Sequence, residues 1–307
     1  MPCFNEEAGI SKTVSAVAAK LRALQTAGLI TEASSMLFVD DGSGDDTWNR
    51  LSKAHAAGDA PVKAIRFAGN RGKEYALLAG VEQARLSAEV IVCMDADLQF
   101  DINAIDDFLK LYAEGYDLVY GVKRNRGKER FYKTVAARCF YSLMAKLGSP
   151  VIRNHTDYCL FTRQVADALS EYGETNVIFR GIIKSLGFRQ ASCDFDVLDR
   201  ADGESHFSVT KLVNLSLDAI TSFSIAPLRL IGGVGFAVLL VGMVMIIWTI
   251  IDALRGVTPS GYATLNCSLW FVGGLMMLSL ATVGEYIGKL YMEAKKRPRY
   301  FIAEKLM

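Results

Sequence analysis

The chain has 307 residues, 51% of them hydrophobic, and a formal net charge of +1. A balance this close to neutral excludes the basic field expected of a nucleic-acid binder, and the length fits about two domains. Charge is concentrated in the first 224 residues and is absent from Leu230 to Ile251, so the average conceals a polar part and an apolar part.

In chain order, residues 7–24 place apolar side chains at helical spacing: Ile10, Val14, Val17, Leu21 and Leu24. SMLFVDDGSGDDT (35–47) is an apolar run that stops at acids and glycine, and DDTWNRLSKAHAA (45–57) is helical. VKAIRF (62–67) is a strand, GKEYALLAGVEQAR (72–85) a helix and EVIVCMDAD (89–97) a strand. INAIDDFLKLYAEG (102–115) is a helix and DLVYGV (117–122) a strand. Strands separated by helices predict an α/β domain with a mostly parallel, Rossmann-type sheet covered on both faces. In such sheets ligands bind beyond the carboxyl ends of the strands. Both acidic clusters, Asp40-Asp41 and Asp95-x-Asp97, fall at strand ends. The six cysteines lie far apart without a Cys-x-x-Cys pair, which predicts reduced, buried thiols. His55 and His155 have no second ligand at metal spacing and are expected to be ordinary polar residues.

An apolar strand that ends in two carboxylates needs partners for them, because unpaired buried charge is costly. Two acids one residue apart can share a hard divalent cation that also takes diphosphate oxygens, although a solvated turn has the same appearance.

The ordered set PCFNEE (2–7), VDDGSGDDT (39–47), NRGKEYALLAG (70–80), DADLQ (95–99) and DLVYGVKRNR (117–126) resembles the family 2 glycosyltransferases that charge a polyprenyl phosphate. The likeness continues through DYCLFTRQVADAL (157–169), NVIFRGI (176–182), DGESHFS (202–208), DAITSFSIAPLRL (218–230) and GEYIGKLYMEAKKRPRYFI (284–302). It implies a GT-A-like fold. It also implies inverting transfer of one sugar from a nucleotide sugar to undecaprenyl phosphate, for later cell-envelope glycosylation. Mapped onto this chain, it makes Asp95 and Asp97 the Mg2+- or Mn2+-diphosphate motif, with Gln99 beside them. Pro2, Asn5, Glu7, Asp40 and Asp41 line the nucleotide. Asp157 stands at the sugar–acceptor junction as a catalytic residue with Asp97. Arg124, Arg126, Arg180, Arg200 and Ser205 hold the lipid phosphate. UDP-glucose is the default donor and UDP-GlcNAc the next, with mannose and aminoarabinose also open.

The chain departs from the family pattern in three ways. The family has an apolar strand before PCFNEE, so that strand of residues 1–207 is expected to be missing. His206 replaces a common lysine. Cys159 and Val197 replace common arginines, which makes the phosphate site less cationic.

Two uncharged runs, 230–251 and 263–284, are each about 33 Å long as helices, against about 30 Å of hydrocarbon. Residues 285–307 form a basic tail, with Lys289, Lys295, Lys296, Arg297, Arg299 and Lys305, whereas the loop between the runs carries only Arg255. The positive-inside rule then predicts a cytoplasmic catalytic domain and cytoplasmic termini on a two-span anchor in the inner membrane. Small residues in both runs allow copies of the chain to associate. Residues 127–148 and 209–223, the second within a juxtamembrane segment 208–229, have the pattern of amphipathic surface helices. A processive polysaccharide synthase is disfavoured by the absence of a QxxRW motif. The remaining alternative is a membrane scaffold that has lost turnover.

Overall fold

The computed structural model describes residues 1–123, 155–172, 186–195 and 261–307, with scattered residues between 179 and 183 and between 231 and 244. The chain divides into two compact units. One gathers residues up to His206 together with Arg297–Met307, and the other holds the apolar helical part up to Lys296. Arg124, Arg126, Arg180, Arg200 and Ser205 lie outside the described residues, as do the 127–148 and 209–223 segments and most of the first apolar run.

In the first unit, strands β1 (Pro2–Cys3), β2 (Met36–Asp40) and β3 (Val62–Phe67) are parallel neighbours. The short strand β1 is formed by two residues of the PCFNEE motif itself. Pro2 has no N–H to give, so the ladder uses carbonyls on either side of it: Val39 N donates to Met1 O at 2.9 Å and Asp41 N to Cys3 O at 3.0 Å. Along β3, Val62, Ala64, Ile65 and Phe67 are all buried. That near-continuous burial is what a sheet covered on both faces requires.

A second sheet contains β4 (Val90–Cys93), β5 (Leu118–Lys123), β6 (His155–Thr162) and β7 (Gln190–Phe195), in the order β4-β6-β5-β7. Here β5 and β7 are parallel, but β6 runs antiparallel to both of its neighbours. The sheets are thus mixed: β1, β2 and β3 form parallel ladders, as the alternation of helices and strands predicts for this part of the chain, whereas β6 separates β4 from β5.

Among the described residues, five helices flank these sheets: α1 (Ile10–Thr26), α2 (Thr47–Ala57), α3 (Lys73–Ala84), α4 (Ala104–Ala113) and α5 (Arg163–Glu171). The apolar stripe of α1 is buried at Ile10, Val14, Val17 and Leu24, and Leu21 packs partly buried against the same cluster. Tyr158 anchors an aromatic cluster. Its ring stacks on Phe100 at 5.4 Å, meets Phe195 edge-on at 5.2 Å and leans on Phe108 at 4.8 Å. Burial of each such side chain contributes about 1.5–3 kcal/mol. A further cluster of Leu77, Leu78, Val81, Phe161, Val165 and Leu169 joins α3 and α5 to β6. Cys3, Cys93, Cys159 and Cys193 are buried free thiols.

In the second unit, helix α6 (Tyr262–Ala294) spans 33 residues, about 50 Å at 1.5 Å per residue. It begins where the second apolar run begins and continues ten residues past the end of that run at 284. No proline interrupts it before Pro298, and Lys289 pairs with Glu285 one turn back at 3.9 Å. Its stretch Phe271–Ala294 is long and apolar enough to cross a membrane, and it is the one such helix among the described residues. The stretch read as a basic tail is also structured. Ile302–Leu306 forms β8, antiparallel to β3 at the edge of the first sheet.

Candidate active site

The acids of VDDGS are used to build a wall. The Asp40 carboxylate, fully buried, accepts from the Ser43 N–H at 3.1 Å and from the Ser43 hydroxyl. Burial pushes its carboxyl above the usual carboxylate range, and the bonds from Ser43 and the nearby Arg66 charge only partly offset this. Asp41 accepts from Arg71 N at 2.7 Å and from Gly72 N at 2.8 Å, so it fixes the turn that opens α3. Between them Gly42 sits at φ +71°, with a notional Cβ only 2.7 Å from the Gly69 backbone. Glycine is required there both for conformation and for space.

The N-terminal PCFNEE segment locks into the same wall. Asn5 N donates to Ser43 Oγ at 3.0 Å, and Asn5 Oδ1 accepts from Gly44 N at 3.0 Å. Glu6 N donates to Thr47 Oγ1 at 2.9 Å, and Glu7 N to Asp45 Oδ2 at 3.0 Å. Glu7 Oε2 accepts from Asp46 N at 3.1 Å. Thus Pro2, Asn5, Glu7, Asp40 and Asp41 are brought together, as two interlocked loops at the ends of β1 and β2.

The second cluster forms at the end of β4. Antiparallel pairing sets Cys93 opposite Cys159. Two residues further on, past the strand end, Asp95 faces Asp157 from β6. Between them stands Lys73, the first residue of α3. Its Nζ lies 2.7 Å from Asp157 Oδ2, and 2.7 and 2.9 Å from the two Asp95 oxygens. Burial would lower the pKa of this ammonium, but Asp157 and Asp95 outweigh it and hold the pKa above the usual lysine value. Asp41 braces the turn immediately before Lys73, so one short turn links the two acidic clusters.

Asp97 is exposed on the loop after β4, with one oxygen taken by Gln99 N at 3.1 Å. Leu98 between them adopts φ +52°, and Asn5 adopts φ +54°. Asparagine tolerates that conformation, but leucine there is a strained choice of the kind held at functional sites. Thr13 of α1 pins this loop by donating from Oγ1 to Ala96 O at 2.6 Å.

No group of three His, Cys, Asp or Glu residues among the described residues makes a closed metal cage. Asp95 and Asp97 are two hard oxygen donors at a strand exit, the donor type that divalent cations such as Mg2+ take, and Asp97 is exposed. His55 is a structural residue, with Nδ1 2.6 Å from Val62 O.

Sequence reasoning missed Lys73. The signal was available, because a lysine at the first position of a helix faces the positive end of the helix dipole. Such a cation calls for a carboxylate partner, and here it has two.

The interlocked acidic loops lie at the carboxyl ends of parallel strands, where α/β sheets bind their ligands. The chain belongs to glycosyl transferase family 2, whose model matches residues 1–169; residues 226–290 match the GtrB C-terminal hairpin. It is 39% identical over 302 residues to YkoT, an uncharacterized glycosyltransferase of Bacillus subtilis (strain 168), covering 98% of this chain and 89% of that one. It is 34% identical over 304 residues to the bactoprenol glucosyl transferase of Shigella phage SfV, covering 98% and 96% of the two chains. To a prophage bactoprenol glucosyl transferase homolog of Escherichia coli (strain K12) it is 33% identical over 307 residues, again 98% and 96%. The protein is a glycosyltransferase.

Proposed function

We propose that the protein transfers a single sugar, with inversion, from a nucleotide sugar to undecaprenyl phosphate at the cytoplasmic face of the inner membrane. The observation that carries this reading is the joining, in one chain, of a family 2 domain to a GtrB-type hairpin, at one-third identity to bactoprenol glucosyl transferases along nearly their whole length. The exposed apolar side chains of α6, among them Leu265, Leu269, Phe271, Met276, Met277 and Leu280, suit a lipid surrounding. Two spans with both termini in the cytoplasm fit the hairpin match and the basic residues after it.

In this reading Pro2, Asn5, Glu7, Asp40 and Asp41 form the nucleotide wall. Asp95 and Asp97 would hold Mg2+ or Mn2+, which supplies charge neutralisation to the departing diphosphate. Lys73 adds a fixed cation at the same place. The lipid phosphate has a second pKa of about 6 by analogy with phosphorylated side chains, so it is already an anionic nucleophile at neutral pH. Asp157 is then not needed as a strong base. With its carboxylate ion-paired to Lys73 it positions the sugar carbon and the acceptor. Arg124, Arg126, Arg180, Arg200 and Ser205 are assigned to the lipid phosphate. UDP-glucose is the proposed donor and UDP-GlcNAc the second choice.

The test uses full-length protein, undecaprenyl phosphate, Mg2+ or Mn2+ and a panel of radiolabelled nucleotide sugars. One donor should move label into the organic phase. No transfer from any donor would overturn the reading and favour a scaffold without turnover.

A further inference from the structure

The most extensive arrangement not used above lies where the C-terminal strand meets the nucleotide wall. Arg66 of β3 reaches in four directions. Its Nε is 3.5 Å from Asp40 Oδ2, which has no other hydrogen-bond partner, and one terminal nitrogen donates to Ser43 O at 3.3 Å. The other terminal nitrogen is 3.2 Å from Glu304 Oε1, and the guanidinium lies over the Trp48 ring at 5.7 Å. Asp40 and Ser43 belong to the wall assigned to the nucleotide. Glu304 belongs to β8, directly opposite Arg66 in the ladder.

The segment that carries Glu304 is fastened at several further points. Tyr300 stacks on Phe67 with centroids 4.7 Å apart, and its hydroxyl bonds Glu82. Arg299 is 3.6 Å from Glu82 and donates to Tyr172 O. Ala68 N donates to Phe301 O at 2.9 Å, and Lys305 Nζ to Gln83 Oε1 at 3.1 Å. Glu82 and Gln83 lie on α3, the helix that begins with Lys73. Residues 299–306 therefore grip both elements that support the site: the strand that bears Arg66 and the helix that bears Lys73.

We propose that Glu304 is a positioning residue for the nucleotide donor, acting through Arg66 to hold the Asp40–Ser43 turn, so that the C-terminal strand is a working part of the donor site. An Arg fork is rigid and planar, so one fixed arm orients the other two. Glutamate at 304 fixes one arm and thereby aims the others at Asp40 and Ser43. This inference rests on the nucleotide reading of that wall.

The test compares full-length wild type with Glu304→Gln, Glu304→Asp and Arg66→Lys, titrated with UDP and, as a control, GDP, alongside steady-state kinetics in the donor. Glu304→Gln should raise the UDP dissociation constant and the donor KM together by roughly three- to tenfold, with kcat unchanged. Glu304→Asp should recover part of the loss, and Arg66→Lys should lose more than Glu304→Gln. An unchanged Kd in Glu304→Gln, or a fall in kcat and melting temperature at unchanged KM, would overturn the proposal and leave the strand a purely structural element. Wild type that binds neither nucleotide would fail the donor reading itself and take this inference with it.

Discussion

Lys73 and Asp157 meet at 2.7 Å, across a contact in which the carboxylate side chain is 1% exposed. The same ammonium holds Asp95, so one cation keeps the two acids from repelling each other. Replacement by methionine keeps the stem and removes the charge. Lys73→Met is expected to reduce transfer by about 10²-fold or more, the usual cost of losing one preorganised electrostatic group. Asp157 is buried, so taking the ammonium away from its carboxylate should also lower stability, by up to about 3–5 kcal/mol. Transfer assays together with thermal unfolding check both numbers; near-normal turnover would remove Lys73 from the site.

Asp97 contrasts with that buried pair. It is exposed and accepts one local bond from Gln99 N. Asp97→Ala should therefore unfold within about 0.5 kcal/mol of wild type, as surface changes do, while losing transfer and Mn2+ binding. Mn2+ titration followed by electron paramagnetic resonance reads the second effect without any turnover. Unaltered Mn2+ affinity would break the assignment of this residue to a metal.

Gly42 allows a test of the donor wall that involves no charge. A methyl group there meets the Gly69 backbone at 2.7 Å while the residue is held at φ +71°. Gly42→Ala should cost about 1–3 kcal/mol of stability, the range for strain at a special backbone position. It should also weaken nucleotide binding, because the 69–72 turn that Asp41 braces is displaced. A variant that binds UDP normally would show that the turn is not part of the pocket.

Asp40 supplies a pH prediction. Its folded-state pKa is raised, chiefly by burial, so the fold holds its proton more tightly than the unfolded chain does. Its contribution to stability is present in full below the unfolded value of about 3.9 and is lost as pH rises through the folded value. Asp40→Asn, which keeps an acceptor for Ser43, should gain in melting temperature relative to wild type as pH rises from about 4 to neutrality, and should bind nucleotide less well. Parallel unfolding curves across that range would contradict the burial argument.

Much of this arrangement could be read in the residues. The runs ending at Asp40 and Cys93 were legible because each is an unbroken apolar stretch and the acids follow at once. The facing of Asp95 and Asp157 was not legible. It depends on β6 running antiparallel between β4 and β5, and HTDYCLFT is buried almost throughout, with no alternation to distinguish strand direction. β8 was hidden for the opposite reason. IAEKL is largely exposed at a sheet edge, so its composition resembles a solvated tail, and charged residues are what edges of sheets commonly carry. α6 runs on past the uncharged stretch that ends at 284, because a glutamate–lysine pair one turn apart continues a helix without penalty.

The position of β8 also bears on the order in which the protein can be assembled. Arg66 and Glu304 are separated by 238 residues of chain. During synthesis β3 leaves the ribosome early, with its outer edge bare, and its partner emerges only after both apolar runs have been made. Closing so long a loop is slow, and an open strand edge in the interval invites wrong pairing. The first sheet is therefore finished only once both apolar runs have been made, and a nascent chain stalled before residue 302 would present a domain with an unsealed edge.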